Sequence, residues 1–266
     1  MSGTVELSVI IVSHGHERML PACIDALRLG LAGLTAEIIV IDNLQSGAVA
    51  AALRGADVRL VENKAPVGFA ANVNSGAAIA VGSRILLLNP DTRHQAGRLA
   101  DIVAFLDARP DVGVVGCTLL NPDGTIQQSY RRFPTLGFLL VRGLGADRWP
   151  WQPQFYRRGL MEGEPPHHAH PVDWVFGAFM LLRRADFERL GGMDESFRLY
   201  YEDVDLCHRF RGAGLATYVI PEVRLVHDHI RASAASPLSA AWRWHVASAA
   251  RYFWKTRPRR HQRLGG

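Results

Sequence analysis

The stretch RILLLNPDT, residues 84–92, joins an apolar run to a polar turn. Such a run without polar alternation is typical of a strand buried on both faces of a parallel sheet. Comparable runs occupy residues 7–13, 37–42, 58–61 and 112–116. Between the runs, apolar periodicity and a closing Gly or Pro predict helices over 17–30, 46–55, 68–82 and 96–110. This alternation predicts an α/β fold with a mostly parallel sheet and right-handed crossovers.

Polar residues stand just after several of these strands. In open α/β sheets, ligands bind beyond the carboxyl ends of the strands. The polar residues expected at that edge are Ser13, Asp42, Asn63 and the Asn89-Pro90-Asp91 turn.

Length, cysteine content and hydropathy narrow the protein class. At 266 residues the chain can bury a large core without a disulfide scaffold. The cysteines Cys23, Cys117 and Cys207 form no CxxC pair, which favours a reducing compartment. The amino-terminal residues show no export signal, and no apolar stretch reaches the roughly 20 residues that cross a bilayer. We therefore expect a cytoplasmic protein, soluble or attached to a membrane surface.

The carboxyl-terminal end carries most of the net charge of +5. No acid follows Asp228, whereas many arginines do, and an anionic partner is expected near that end. Residues 238–255 have the spacing of an amphipathic helix rich in aromatic and basic residues, followed by the tail RPRRHQR. Two interpretations stay open: a terminal helix packed on the domain, or an interfacial membrane anchor.

The second half of the chain is less regular. Residues 133–171 show no clean period, which is typical of a functional loop. Regular structure is expected to resume at 172–184, with a helix start at 185–190. A helix headed by YYEDVDLCHRF (200–210) follows, then two strands over 216–220 and 223–227.

Two common nucleotide-binding fingerprints are absent from the sequence. The turn SHGHERM (13–19) has a single glycine, not G-x-G-x-x-G, and no GKS or GKT exists. A bound metal ion is an alternative way to hold a nucleotide, because Asp91 could bind a divalent ion together with diphosphate oxygens. Asp91 or Thr92 could instead cap a following helix. Asp42 likewise suits either a ribose or base contact or an ordinary turn.

Three acids, Glu202, Asp203 and Asp205, crowd one predicted helix start. Acids there interact favourably with the helix dipole. Asp203 and Asp205, two positions apart, cannot point the same way, so one can serve the helix while the other faces a cleft. His227 ends a predicted strand and is either a strand-end histidine or a further ligand of a phosphate-bound Mg²⁺ or Mn²⁺.

The order of these motifs resembles a known family. The segments are SVIIVSHG, EIIVIDN, VENKAPVGFAANVNSG, LLLNPDT, WVFGAFMLLRRADFERLGGMDESF, YYEDVDLCHRFRGAG and VHDHIRAS. Together they resemble family 2 glycosyltransferases of the GT-A fold, in particular the rhamnosyltransferase-like branch. The resemblance implies a GT-A domain over 1–233, with a nucleotide-sugar half (1–118) and an acceptor and catalytic half (119–233) that includes loop 133–171. Residues 234–266 would form the amphipathic basic helix and tail.

The resemblance also implies roles for single residues. Ser13, Asp42, Asn63 and the turn from Gly68 to Asn72 would hold the nucleotide. Asn89 and Asp91 stand at the family's DxD motif, and Asp91 and His227 would bind Mg²⁺ or Mn²⁺. Asp203 would be the general base, while Trp174, Gly177, Ala178 and Glu202 would line the sugar and acceptor site. Asp205 is expected to be structural.

The implied activity is inverting sugar transfer from a nucleoside diphosphate donor, with dTDP-rhamnose as the first candidate. The acceptor would be a glycan or a lipid-linked hydroxyl, and no nucleic acid partner is expected. The sequence departs from the family pattern at two places that concern metal binding and base recognition. Asn89 replaces the first Asp of DxD, and His14-Gly15-His16 follows Ser13 where the family often has S-Y-N. A non-catalytic binding protein on a transferase fold and a sugar nucleotidyltransferase remain alternatives.

Overall fold

The computed structural model describes residues 4–146, 149–161, 168–228 and 240–257. Its strands are β1 (Leu7–Ser13), β2 (Ala36–Asp42), β3 (Arg59–Glu62), β4 (Arg84–Leu88), β5 (Thr92–Ala96), β6 (Val112–Leu120), β7 (Ile126–Gln127), β8 (Tyr130–Arg131), β9 (His170–Val172), β10 (Trp174–Val175), β11 (Phe179–Arg183) and β12 (Ala216–His227). Its helices are α1 (Leu20–Gly30), α2 (Ala48–Ala52), α3 (Phe69–Ile79), α4 (Leu99–Ala108), α5 (Leu136–Gly143), α6 (Gln154–Leu160), α7 (Arg184–Arg189), α8 (Glu202–Gly212) and α9 (Ala240–Thr256).

One mixed sheet organises these elements, in the strand order β3-β2-β1-β4-β11-β6-β12-β5. Strands β1 to β4 are parallel, as are β6 and β12, whereas β11 and β5 run antiparallel to their neighbours. The predicted α/β fold with a mostly parallel sheet is therefore confirmed. Because β11 lies between β4 and β6, residues from the second half of the chain reach the edge where β1, β2 and β4 end.

The apolar runs are uninterrupted because both faces of the sheet are covered. In β1, Val9 and Ile11 join the apolar cluster on one face, and Ile10 and Val12 join the cluster on the other. Helix α3 packs closely on β1, since a Cβ atom on Gly76 would lie 2.7 Å from Ile10 Cγ2. Side chains on both faces of β1 thus contribute to the core.

Several predicted elements are wrong. Residues 92–96 form strand β5, and α4 begins only at Leu99, so neither Asp91 nor Thr92 caps that helix. The stretch 172–184, where regular structure was expected, contains the end of β9 and the strands β10 and β11, which are separated by the turn that carries Gly177. The two strands predicted over 216–227 are one strand, whose register shifts between Ile220 and Arg224 around Pro221.

The irregular region 133–171 contains two helices, α5 and α6, in its described part. Phe138 of α5 stacks on Tyr156 of α6 with ring centroids 4.8 Å apart. Ala146 and Leu160 complete a small apolar cluster that is separate from the main core. The periodicity was missed because each helix is short and interrupted by glycine.

Helix α9 packs on the segment that leads into α8. Tyr252 is buried in a cluster with Phe197, Tyr201 and Val204, and Ser248 Oγ donates to the main-chain oxygen of Leu199 at 2.9 Å. The packed-helix interpretation is therefore what the structure shows. No helix among the described residues is long and apolar enough to span a bilayer. The boundary at 233/234 and the tail beyond residue 257 lie outside the described residues.

Candidate active site

Ser13 and Asp42 lie side by side at the carboxyl ends of β1 and β2, and both are fully buried. The main-chain N–H of Leu44 donates to Asp42 Oδ1 at 3.0 Å. Within the described part of the chain, Asp42 Oδ2 has no hydrogen-bond partner. A buried acceptor without a partner is costly, so this oxygen is suited to a hydroxyl or N–H of a bound molecule.

An amide network shapes the turn beside these residues. Asn43 Oδ1 accepts hydrogen bonds from the main-chain N–H of Val67 and from Asn63 Nδ2, both at 2.9 Å. Asn63 Nδ2 also donates to Asn72 Oδ1 at 2.6 Å, and Asn72 Nδ2 donates to the oxygen of Gly68 at 2.9 Å. The side chains of Asn63 and Asn72 therefore hold the turn. Asn43, which the sequence analysis did not single out, is the centre of this network.

Gly68 lies where this turn meets the segment before α8. A Cβ atom there would lie 3.2 Å from the main-chain oxygen of Arg198. This is tighter than an ordinary contact, so a side chain at position 68 would push the two segments apart. The glycine thus keeps the predicted nucleotide-binding turn against the half of the chain that carries the acids.

Asp91 and His227, distant in sequence, meet where β4 and β12 end. His227 Nε2 lies 3.4 Å from Asp91 Oδ1 and 3.5 Å from Asn89 Nδ2. Both Asp91 and His227 are buried. The main-chain N–H of Asp228 donates to the oxygen of Asp91 at 3.0 Å and fixes the two segments together.

These residues fit a divalent cation in part. Adjacent ligands around a Mg²⁺ ion, each about 2.1 Å from the metal, lie about 3 Å apart, close to the separation of the carboxylate oxygen and the imidazole nitrogen. Carboxylate and imidazole suit Mn²⁺ as well. Among the described residues, however, no group of three or more His, Cys, Asp or Glu surrounds a metal position. Any further ligands would have to be oxygens of a bound phosphate or of water.

Asp203 lies in the first turn of α8, against the turn between β10 and β11. The main-chain N–H of Gly177 donates to Asp203 Oδ2 at 3.1 Å, and that of Val204 donates to Oδ1 at 2.8 Å. Burial raises the pKa of Asp203 to about 6, although these hydrogen bonds and the charge of Arg131 oppose the rise. A carboxylate with this pKa is mostly ionised at neutral pH yet basic enough to accept a proton.

Glu202, its neighbour, is buried, and its Oε2 is another oxygen for which the described residues provide no hydrogen bond. Burial, reinforced by the charge of Asp203, raises the pKa of Glu202 to about 8. At neutral pH Glu202 is therefore mostly the neutral acid, and Asp203 is the ionised member of the pair.

Asp205 differs from both. Its buried carboxylate is bound by Arg209 Nε at 2.7 Å and by Lys255 Nζ at 2.6 Å. Because Arg209 lies on α8 and Lys255 on α9, Asp205 holds these two helices together. The sequence-based separation of Asp203 from Asp205 thus corresponds to two different environments.

Two strained residues precede these acids. Tyr200 and Tyr201 have φ angles of 66° and 69°, which non-glycine residues adopt rarely and at a cost. Both rings contact His245 of α9, with centroid distances of 5.0 and 5.6 Å. Helix α9 therefore supports the strained entry to α8 that places Asp203.

The remaining predicted residues lie on the segment from β10 to the start of β11. Trp174 stacks on Phe176 at 5.4 Å and donates from Nε1 to the oxygen of Arg132 at 3.0 Å. The oxygen of Ala178 accepts from the main-chain N–H of Asn89 at 3.1 Å, which ties the turn of Gly177 to the turn of Asp91. The structure thus brings the predicted residues to one edge of the sheet.

Residues 8–191 match the family described as glycosyl transferase family 2. The chain belongs to this family. Residues 157–229 also match the description "N-terminal domain of galactosyltransferase". The family expected from the motif order is therefore confirmed.

Curated relatives of this family 2 member carry rhamnosyltransferase names. It is 29% identical over 204 residues to the N-acetylglucosaminyl-diphospho-decaprenol L-rhamnosyltransferase of Mycobacterium tuberculosis, covering 71% of this chain and 65% of that protein. The chain thus spans slightly less than two thirds of that relative. It is 29% identical over 268 residues to rhamnosyltransferase WbbL of Escherichia coli K12, covering 94% and 93% of the two chains. The resemblance to the rhamnosyltransferase-like branch is confirmed.

A solved structure confirms the GT-A fold. The crystal structure of GalNAc-T7 with UDP, GalNAc and Mn²⁺ superposes with a TM-score of 0.62 at 18% identity, over 89% of this chain and 46% of that one. At this identity the likeness concerns the fold alone.

Proposed function

We propose that this family 2 member is an inverting glycosyltransferase. It moves a sugar, with dTDP-linked L-rhamnose as first candidate, from a nucleoside diphosphate to a hydroxyl of a lipid-linked glycan. The observation that carries the proposal is the position of Asp203, a half-buried carboxylate that accepts a hydrogen bond from Gly177 on a turn tied to the Asn89–Asp91 turn. The rhamnosyltransferase names of the relatives support the choice of sugar, and the diphospho-decaprenol in one name supports a lipid-linked acceptor.

In the proposed mechanism, different residues of the site bind the nucleoside, the diphosphate and the acceptor hydroxyl. Asp42 and Ser13 hold the nucleoside, and the turn kept in shape by Asn63 and Asn72 closes over it. Asp91 and His227 would hold Mg²⁺ or Mn²⁺, which offsets the charge that develops on the departing diphosphate. Asp203 accepts the proton of the acceptor hydroxyl as that oxygen attacks the anomeric carbon from the face opposite the leaving nucleoside diphosphate. One in-line displacement inverts the configuration.

Glu202 and Trp174 complete the acceptor side of the proposal. Because burial keeps Glu202 largely neutral at pH 7, it can donate a hydrogen bond to an acceptor oxygen, which an ionised carboxylate cannot. The Trp174 and Phe176 pair offers an aromatic face for a sugar ring beside the turn of Gly177 and Ala178.

A donor panel with Mn²⁺ and the purified full chain tests the function. Released nucleoside diphosphate and an acceptor product with inverted configuration are expected. Release of pyrophosphate would instead favour a nucleotidyltransferase. Binding of the acceptor without turnover of any donor would favour a non-catalytic binding protein.

We extend the proposal to peripheral contact with the cytoplasmic face of an anionic membrane. The outward face of α9 exposes Trp242, Val246 and Trp254, with Arg251 beside them. Arg198, Trp244 and Arg251 also line a cleft of about 510 Å³ between α9 and the segment before α8. On α5 and directly after it, the side chains of Leu136, Leu140 and Leu144 are 64%, 69% and 71% exposed. Aromatic and aliphatic side chains beside arginines suit an anionic lipid surface.

Vesicle flotation tests this contact. The full chain should bind vesicles that contain anionic lipid, less so at high salt, and Trp254→Ser together with Leu140→Ser should weaken binding. Leu29→Ser, which removes an exposed leucine of α1, is the matched control. Equal binding of the double variant, or no binding to anionic vesicles at any salt concentration, would contradict the membrane contact.

A further inference from the structure

Gln127 lies directly behind His227. It belongs to β7, which pairs with β6 so that Gln127 faces Leu119. Its side chain is buried, and Gln127 Oε1 lies 2.7 Å from His227 Nδ1. This is a short contact between two buried side chains that are 100 positions apart in sequence.

The neighbours of the Gln127 amide decide which atom donates. Gln127 Nε2 lies 3.1 Å from Asn121 Oδ1 and 3.5 Å from the main-chain oxygen of His227. A main-chain oxygen can only accept, so the amide nitrogen belongs on that side and Oε1 faces the ring. Because Oε1 can also only accept, His227 Nδ1 must carry the hydrogen. In a neutral ring, the lone pair is then at Nε2.

The other side of the ring shows what this tautomer is suited to. His227 Nε2 faces Asp91 Oδ1 at 3.4 Å. The amide nitrogen of Asn89 also lies 3.5 Å from Nε2, and a cation bound between the nitrogen lone pair and the carboxylate oxygen would be attracted to both. Neutral imidazole and carboxylate are both ligands of divalent cations such as Mn²⁺. The hydrogen bond to Gln127 thus aims the lone pair towards the position where a shared cation would be bound.

We infer that Gln127 is a positioning residue, which holds His227 as the Nδ1–H tautomer with the Nε2 lone pair on the side of Asp91, where a shared divalent cation would be bound. The inference rests on the metal use put forward under the proposed function. Partners that orient a ligating histidine in this way typically contribute 10- to 100-fold to metal affinity. Asn121, through its contact with the Gln127 amide, extends this support to the β6–β7 turn.

The first test needs no metal. Long-range proton–nitrogen NMR spectra of the metal-free chain, with ¹⁵N-labelled histidine, report which ring nitrogen carries the hydrogen. His227→Gln identifies the signals of His227 among the 11 histidines. The wild type should show the Nδ1–H form, and Gln127→Leu should shift His227 towards a mixture or the other tautomer. An Nε2–H form in the wild type would overturn the inference.

The second test measures Mn²⁺ affinity by electron paramagnetic resonance of the free ion, with dTDP or UDP present. Gln127→Leu should weaken Mn²⁺ binding about 10- to 100-fold. Gln127→Glu keeps an acceptor oxygen for Nδ1 and should restore affinity to within a few-fold of the wild type. Gln128→Leu is the matched control, since Gln128 donates to the main-chain oxygen of Leu160 and not to His227.

The outcomes separate the inference from the proposed function. Unchanged affinity in Gln127→Leu, or equal losses in Gln127→Leu and Gln128→Leu, would overturn the role of Gln127. A wild type that binds no Mn²⁺ with any nucleotide would contradict the proposed metal use, while the tautomer spectra would still decide whether Gln127 orients His227. If Gln127→Leu fails to fold, Gln127→Met takes its place, because a thioether is only a weak acceptor for Nδ1. The same loss of the Nδ1–H form and of Mn²⁺ affinity is expected, and wild-type behaviour of Gln127→Met would overturn the role of Gln127.

Discussion

Asp203 and Glu202 show how adjacent carboxyl groups acquire different properties. Glu202 is buried and Asp203 half-buried, and Asp203 accepts main-chain hydrogen bonds from Gly177 and Val204. Those bonds favour its charged form, whereas the charge on Asp203 disfavours ionisation of Glu202. Burial therefore raises the pKa of both carboxyl groups, while the main-chain hydrogen bonds favour the charged form at Asp203.

Replacing the proposed base gives the first prediction. Asp203→Asn should lower kcat about 100- to 10,000-fold, because the amide cannot accept the acceptor's proton. Donor binding, measured by calorimetry, should stay within about threefold of the wild type, since Asp203 is assigned to the acceptor side. The free energy of unfolding should fall by about 1–3 kcal/mol, because the amide keeps only one acceptor oxygen for the N–H groups of Gly177 and Val204. Full transfer activity in this variant would contradict the assignment of the base.

The pH dependence gives the second prediction. Burial raises the pKa of Asp203 to about 6, so the base is ionised above that value and is lost as pH falls through it. The rate constant kcat/KM should therefore decline about tenfold per pH unit below about pH 6. Stopped assays between pH 4.5 and 8 measure this limb. A rate that stays constant down to pH 5 would show that a group with an ordinary carboxyl pKa, or no titrating group, acts as the base.

At the scale of residues, the sequence located acids but not their partners. Asp42, Asp91 and Asp203 could be predicted because each follows an apolar strand or begins a helix. Asn43 and Gln127 could not, because their importance depends on contacts with Val67 and His227 that only the folded chain creates. No local pattern distinguishes Gln127 from Gln128, although only the former contacts His227.

At the scale of elements, α9 is joined to the catalytic side of the molecule by more than apolar packing. Lys255 Nζ donates to Asp194 Oδ2 at 2.8 Å and also lies 2.6 Å from Asp205 Oδ1. Burial alone would raise the pKa of Asp194, but the hydrogen bonds from Lys255 and Ser196 outweigh it and lower the pKa to about 2. The last turn of α9 thus neutralises acids of two preceding segments.

Removing this contact gives the third prediction. Lys255→Met should lower the free energy of unfolding by about 1–3 kcal/mol, because buried Asp205 keeps only Arg209 as a neutralising partner. Urea unfolding at pH 7 measures the change. Lys64→Met, at an exposed lysine, should alter stability by less than about 0.5 kcal/mol. Equal effects of the two substitutions would show that α9 is held by its aromatic contacts alone.

Prediction of elements succeeded where apolar periodicity was strong and failed where tertiary contacts decide. Strands β1, β2 and β4 are buried on both faces, and their sequence shows it. Strand β5, TRHQA, has no apolar alternation and exists because it pairs with β12. Helices α5 and α6 were missed because each is short and their packing on each other stabilises them more than their own sequences do.

At the scale of the whole molecule, strand order assembles the site. The parallel strands β1, β2 and β4 present Ser13, Asp42 and the Asp91 turn at one edge. Antiparallel β11 then carries Gly177 and Ala178 to that edge, and β12 returns to place His227 beside Asp91. The sequence predicts the parallel half of this arrangement. The strand order, with β11 inserted between β4 and β6, depends on pairings that no local pattern encodes.

In the proposed function, the protein and the donor diphosphate both supply ligands to the metal, and this gives the last prediction. The described protein residues provide few ligands, so Mn²⁺ alone and a nucleoside diphosphate alone should each bind weakly, and each should strengthen binding of the other by the same factor. At about 100 times the dissociation constant, the bound pair would add about 2.7 kcal/mol to stability. For a chain of this size that corresponds to a rise in Tm of about 5–10 °C. Thermal unfolding with each ligand alone and with both measures this coupling.

Asp91→Asn should abolish the coupling while keeping the small shift from nucleotide alone, because Asp42 and Ser13 are unchanged. A full shift from Mn²⁺ alone would instead mean that the protein supplies a complete metal site, and the role assigned to the donor diphosphate would be wrong.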